Sequence, residues 1–248
     1  MSVDHLSHLV TVTYQDRIAI VTINRPEKLN ALDSDLYYLL GERLREVDER
    51  DDIYITVLTG TGRFFSAGAD VTSARPEGDP SGRAQWPSRW PFCCASGPRR
   101  LYLRRSHAFI LTPFASLGLV AEGGASRAFV ERLGISKANE ALIMSKRIPI
   151  EDLVSTGFVN KVITADSKKP EDSAGFLKNV LVEVEDRLGT HLNQSSLVKI
   201  KELIRRPERE ILDRQNTLEA FVGIERFMTG GPQEEFRKLA SGEKKHKL

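Results

Sequence analysis

Residues Leu9 to Leu58 pass through three different periodicities, and their order restricts the fold more than any other feature of the chain. Leu9 to Tyr14 and Ile18 to Asn24 alternate apolar and polar positions and are rich in β-branched residues, the pattern of half-buried strands. Only Gln15-Asp16-Arg17 separates them, so they read as a hairpin. Arg25-Pro26 ends the second strand, because proline has no N–H to give a sheet ladder. Asp33 then stands as the N-cap of a helix from about Ser34 to Arg50, with Leu36, Leu39, Leu40, Leu44 and Val47 at helical spacing. Ile53 to Leu58 is a short apolar strand closed by Thr59-Gly60-Thr61-Gly62. The β-β-α-β order predicts an α/β fold, sheet layers with helices packed outside.

Further on, Ser126 to Leu133, Lys137 to Met144 and Ile150 to Gly157 read as helices, followed by a strand from Val159 to Ile163. From Glu171 the pattern is almost entirely helical, with interruptions expected at Pro207 and at Gly230-Gly231-Pro232. With 248 residues, 40% of them hydrophobic, the chain is long enough to bury a sizeable core, read as one domain plus an appendage. A net charge of +2 is too small to imply a nucleic-acid or membrane-surface partner. No apolar run approaches the roughly 20 residues of a membrane helix, and Met1 to His8 lacks a signal-peptide layout. Cys93 and Cys94 are adjacent and are the only cysteines, which excludes a disulfide framework or a zinc site. The expectation is an intracellular protein without a metal.

Two fragments carry chemistry. In G-R-F-F-S-A-G-A-D, Gly62 to Asp70, the small residues Ser66-Ala67-Gly68-Ala69 follow a strand and leave backbone N–H groups uncovered by bulky side chains. Such groups can receive a developing oxyanion; an ordinary strand-to-helix turn has the same composition. In T-P-F-A-S-L-G-L-V-A-E-G-G, Thr112 to Gly124, Glu122 lies between Leu119-Val120-Ala121 and a glycine pair that opens a helix. Apolar neighbours would desolvate the carboxylate and raise its proton affinity, as a general base needs. Taken alone, an acid favoured by the helix dipole explains it equally well.

The two fragments, with N-R-P-E-K-L-N-A-L (Asn24 to Leu32) and K-A-N-E-A-L-I-M-S-K-R-I-P-I-E-D-L-V-S-T-G-F-V-N-K-V-I (Lys137 to Ile163), resemble the crotonase superfamily of enoyl-CoA hydratases and isomerases, in order along the chain. The resemblance is nearest to the peroxisomal 3,2-trans-enoyl-CoA isomerases. It implies a spiral of ββα units over residues 1–190 and a C-terminal helical trimerisation region over 191–248, in a homotrimer or hexamer. It implies an acyl-CoA thioester as substrate and no cofactor. Ala69 would donate one oxyanion N–H. Ser66, Ala67, Gly68, Ala69 and Asp70 would line the CoA, with Arg25 and Lys28 near its end. Hydratases of the family use two glutamates, and Phe114 stands where the second would align. The isomerase pattern L-G-x-x-x-E-G matches Leu117 to Gly123, which makes Glu122 a single proton shuttle that moves the double bond of a 3-enoyl-CoA to the 2-trans position. A hydratase-type lyase and a catalytically impaired relative are the alternatives.

One stretch departs from the resemblance. Ala74 to Arg105 contains Trp86 and Trp90, Cys93 and Cys94 and four arginines close together, Arg99, Arg100, Arg104 and Arg105, where the family has an oxyanion loop, a small-residue helix and a strand. Read one base later, a tryptophan codon always gives glycine, so Trp86 and Trp90 become glycines four apart, the spacing of the family's N-G-P-A-x-G. The two cysteines become alanine or valine. We read this stretch as the family segment translated out of frame, so that one repeat of the spiral is disrupted between about 74 and 106. At the other end, His246-Lys247-Leu248 differs by one residue from the peroxisomal address S-K-L, which implies an import receptor as partner.

Overall fold

The computed structural model describes residues 4–70, 103–164, 169 and 171–244. Trp86, Trp90, Cys93, Cys94 and most of the stretch 74–106 lie outside the described residues, as does His246-Lys247-Leu248. The chain forms two compact units from interleaved pieces, one from Met1–Trp86 with Thr164–Val198, the other from Pro87–Ile163 with Lys199–Leu248. The 1–190 and 191–248 division, by contrast, follows the order of the sequence.

In the first unit, β1 (Val10–Gln15) and β2 (Ile18–Ile23) pair antiparallel in a register running from Val10↔Ile23 to Gln15↔Ile18. Asp16 takes the turn with φ 48, a left-handed conformation that aspartate tolerates. β2 also pairs in parallel with β3 (Ile55–Gly60), from Ile18↔Ile55 to Ile23↔Gly60. As the middle strand, β2 is buried at Ile18, Ala19, Ile20, Val21 and Ile23, which explains why its sequence is apolar at successive positions. The crossover is α1 (Ser34–Asp48), begun by Asp33, whose carboxylate accepts the N–H of Leu36 at 3.0 Å. Leu36, Leu39, Leu40 and Val47 turn inward from α1. The unit also holds α4 (Ser173–Leu188), tied back by Arg17 to Glu185 at 3.1 Å.

The second unit contains two short ladders, β4 (Leu103–Arg104) parallel to β7 (Lys161–Val162) and β5 (Phe109–Ile110) antiparallel to β6 (Ile148–Pro149). The strand expected over 159–163 shortens to two residues, and the Val159 N–H is taken instead by the carbonyl of Leu153 in α3 (Ile150–Ser155). The helices expected over 126–133 and 137–144 follow one another along α2 (Ala125–Leu142), kinked between them at Gly134 with φ 76 and ψ 159. Its buried face, Ala125, Phe129, Leu133, Ala138 and Ala141, packs with Ile148, Ile150, Leu153, Phe158 and Val159. The rings of Phe129 and Phe158 meet edge to face at 6.0 Å.

The C-terminal helices differ from expectation at one point. α5 (Gln194–Met228) runs through Pro207 without a break, and only Thr229 and Gly230 separate it from α6 (Gly231–Ala240). Proline deprives the carbonyl four residues back of its donor. Here that residue, Leu203, is exposed, so water can take the donor's place.

Candidate functional site

The 62–70 loop is organised by Asn30, a residue in the left-handed region (φ 58) and fully buried. Its side-chain amide donates to the carbonyls of Thr61 at 2.9 Å and Phe64 at 2.7 Å, and its Oδ1 accepts the Arg25 N–H at 2.8 Å. Its own carbonyl accepts the Ser66 hydroxyl at 2.8 Å. One side chain thus ties the end of β2 to the loop after β3. Gly60 makes that approach possible, since a Cβ there would lie 2.4 Å from the Phe65 carbonyl and 2.7 Å from Asn30 Nδ2.

The expectation of several outward N–H groups in this loop needs correction. The Ala67 N–H is bound to the Leu29 carbonyl, that of Gly68 to Ser66 Oγ at 3.0 Å, and that of Asp70 to the Leu32 carbonyl. Leu32 and Ala69 form a parallel bridge that uses the Gly68 carbonyl and the Asp70 N–H. Alternation along an extended chain therefore turns the N–H of Ala69 to the opposite side. Ala69 is exposed, and among the described residues its N–H makes no hydrogen bond.

Arg25, Lys28 and Asp70 converge. The Asp70 carboxylate, 3% exposed, accepts from Arg25 Nη1 and Lys28 Nζ, both at 3.2 Å. Arg25 is 15% exposed and also donates to the Ala31 carbonyl at 3.0 Å and to Asp33 at 3.3 Å. Its guanidinium and the Asp70 carboxylate are thus engaged inside the loop base, whereas Lys28, paired to the same carboxylate, is 44% exposed.

In the second unit, Thr112 to Gly124 folds as a turn of 3₁₀ helix at Ala115–Leu117, closed by Gly118 with φ 68. Phe114 packs against the core of the unit, and its carbonyl accepts the Leu119 N–H at 2.9 Å. Gly123 and Gly124, at φ 75 and 76, carry the chain from Glu122 into α2. Glu122 is exposed, as expected of a chain with the altered 74–106 stretch; of its apolar neighbours, Ala121 packs on the core and Val120 lies 4.0 Å from the position a Cβ on Gly223 would take.

The buried acid at this point is Glu219, on α5, which sequence reasoning did not single out. Its carboxylate accepts the N–H groups of Gly124 at 2.5 Å and Ser126 at 2.8 Å, and the Ser126 hydroxyl. Among the described residues no group of three or more His, Cys, Asp or Glu side chains is placed to hold a metal, and no helix is long and apolar enough to cross a membrane.

Comparison with known proteins sets these fragments in context. A family model described as enoyl-CoA hydratase/isomerase matches residues 18–89. The chain is 48% identical to a Delta(3,5)-Delta(2,4)-dienoyl-CoA isomerase of Pyricularia oryzae, covering 98% of this chain and 100% of that protein. That alignment runs over 280 residues, longer than the chain itself, so the relative carries residues with no counterpart here. The 3,2-trans-enoyl-CoA isomerase of Saccharomyces cerevisiae is 28% identical over 92% of this chain and 93% of its own length. Among solved structures, an enoyl-CoA hydratase/isomerase from Pseudoalteromonas atlantica superposes with a TM-score of 0.77 at 22% identity, covering 97% of this chain and 100% of that one. At that identity the likeness speaks for the fold.

Proposed function

The chain belongs to the enoyl-CoA hydratase/isomerase family, the crotonase superfamily, and from that premise we propose that it moves the double bond of a 3-enoyl-CoA to the 2-trans position. Glu122 takes a proton from C2 of the thioester, and the electron pair of that C–H bond delocalises through the C3–C4 double bond and onto the carbonyl oxygen. The Ala69 N–H donates to that oxygen while it carries charge. Glu122 then returns the proton at C4, leaving the double bond between C2 and C3 in conjugation with the thioester. No water is added and no oxidant is needed, so one carboxylate suffices.

The observation that carries this reading is the single acid between Thr112 and Gly124. Phe114, where hydratases of the family resemble one another in having a second glutamate, is committed to the core. The exposed Ala69 and the half-exposed Lys28 support the assignment of the 62–70 loop to the thioester and its CoA, with Arg25 and Asp70 as the loop's internal brace.

A second reading has a specific observation behind it, the 48% identity to a dienoyl-CoA isomerase. Moving a 3,5-diene to the 2,4 position returns the proton at C6 instead of C4, farther than a fixed carboxylate reaches, so this reaction favours a second proton carrier. A panel of trans-3-enoyl-CoA, 3,5-dienoyl-CoA and 2-trans-enoyl-CoA separates the possibilities by absorbance. We expect the first to be converted fastest and the third to gain water slowly. Faster turnover of the diene transfers the assignment to the second reading, and hydration at a comparable rate makes the protein a hydratase.

The homotrimer or hexamer belongs to the same proposal; the exposed Leu203, Phe221 and Met228 of α5 favour an assembly that covers them. So does residence in the peroxisome, proposed from His246-Lys247-Leu248.

A further inference from the structure

We propose that Glu219 is a positioning residue for Glu122: a carboxylate supplied by α5 that fixes the backbone from which the base projects. The inference rests on the assignment of Glu122 as base. α2 begins at Ala125, and its N-cap, Gly124, has no side chain with which to satisfy the N–H groups of the first turn. Glu219 fills that role from another helix. One of its oxygens accepts the Gly124 N–H at 2.5 Å, the other the Ser126 N–H at 2.8 Å together with the Ser126 hydroxyl. Gln215, one turn earlier on α5, donates to Ser126 Oγ at 2.8 Å and completes the arrangement. Glu219 is 6% exposed and its carboxylate is bound by three donors, so charge-assisted hydrogen bonds hold the helix end.

The need for such a hold lies in the two residues between Glu122 and the helix. Gly123 and Gly124 both adopt left-handed conformations, and glycine has little intrinsic preference between that region and others. Left to itself, this pair would let Glu122 range over several orientations. The same face of α5 grips the segment at its other end as well. Arg226, seven residues beyond Glu219, donates from Nε to the Gly118 carbonyl at 3.2 Å, and Leu212 lies 3.5 Å from where a Cβ on Gly124 would be. Leu212, Gln215, Glu219 and Arg226 are spaced by three, four and seven, so they share one stripe of the helix. α5 thus spans the loop from Gly118 to Ser126, with Glu122 in the interval between its two grips.

The test is Glu219→Gln in the full chain. Glutamine keeps the shape but turns an NH2 group toward a backbone N–H, so one first-turn donor loses its acceptor. Misplacement of a catalytic group by about 1 Å lowers turnover by up to a hundredfold. We expect kcat for trans-3-enoyl-CoA to fall between about tenfold and a hundredfold, with KM and CoA binding changed less than about twofold. Ser126→Ala, which removes one donor and leaves the two amide contacts, should give a smaller loss in the same direction. Amide hydrogen exchange is the second measurement: the Gly124 and Ser126 N–H groups should be protected in the parent and exchange faster in Glu219→Gln. Unchanged kcat in a variant with exposed amides overturns the proposal, as do unchanged exchange rates, and so does a parallel loss of kcat, CoA binding and thermal stability. Should Glu122→Gln keep its activity, the base assignment fails, while the exchange measurement still decides whether Glu219 holds this segment.

Discussion

Asn30 Nδ2 donates to the Phe64 carbonyl at 2.7 Å, so a buried amide in the turn after β2 sets the course of the loop after β3. Replacing it by alanine leaves the carbonyls of Thr61 and Phe64 and the N–H of Arg25 without that partner. At roughly 1–3 kcal/mol for each unsatisfied buried group, partly recovered by water, Asn30→Ala should destabilise the protein by about 3 kcal/mol. Urea unfolding measures this, and Asn30→Asp should do no better, because a carboxylate oxygen would face two carbonyls.

Gly60 and Gly68 should respond differently to alanine. At Gly60 the added methyl meets backbone oxygen and the Asn30 amide within 3 Å, and the loop must move. At Gly68 nothing lies within 4 Å, and the penalty is the conformation alone, φ 89, about 1–2 kcal/mol. Thermal unfolding should show the larger loss for Gly60→Ala, with CoA binding weakened beyond what stability explains.

Arg25 and Lys28 share Asp70 but not its surroundings. Arg25→Ala removes a nearly buried partner from a buried carboxylate and should destabilise by about 3 kcal/mol. Lys28→Ala removes a half-exposed one, worth less than about 1 kcal/mol, and its larger effect should be on CoA affinity. Chemical denaturation and calorimetric titration with CoA separate the two.

Much of this architecture is legible in the sequence because it depends on local chemistry. The β-branched strands of 10–23, the Asp33 cap and the apolar stripe of α1 are each fixed within a few residues and lie where expected, although β2, as the middle strand, is buried at successive positions instead of alternating. The break at Gly134 falls between the two helices expected there, whereas the passage of α5 through Pro207 was not legible, since it depends on what the neighbouring turn can tolerate. Asn30 and Glu219 were not legible as organisers. Their partners lie 34 and 95 positions away, and nothing in a single sequence records such a pairing. Glu122 was identifiable by its pattern, and its exposure is that expected of a chain with the altered 74–106 stretch.

The stretch 74–106 yields a prediction at the level of the gene. Transcripts read one base later from about Gln85 should encode N-G-P-A-x-G followed by a small-residue helix. A chain carrying that reading should isomerise faster than the present one by about a hundred- to a thousandfold, the effect of regaining one oxyanion donor. The present chain should in turn be prone to aggregate. A genomic reading without the glycines, or a monodisperse and fully active trimer of the present chain, makes the stretch a genuine insertion.

The central claim is that Glu122 carries the proton. Its direct test is the rate of trans-3-enoyl-CoA conversion by Glu122→Gln beside its parent, both carrying the shifted reading of 74–106, at matched CoA binding. Glutamine fills the same space but cannot accept the C2 proton. The rate should therefore fall by about a hundred- to ten-thousandfold, the range of general acid–base catalysis, while CoA binding stays within about twofold. Turnover of Glu122→Gln within a fewfold of the parent would contradict the account.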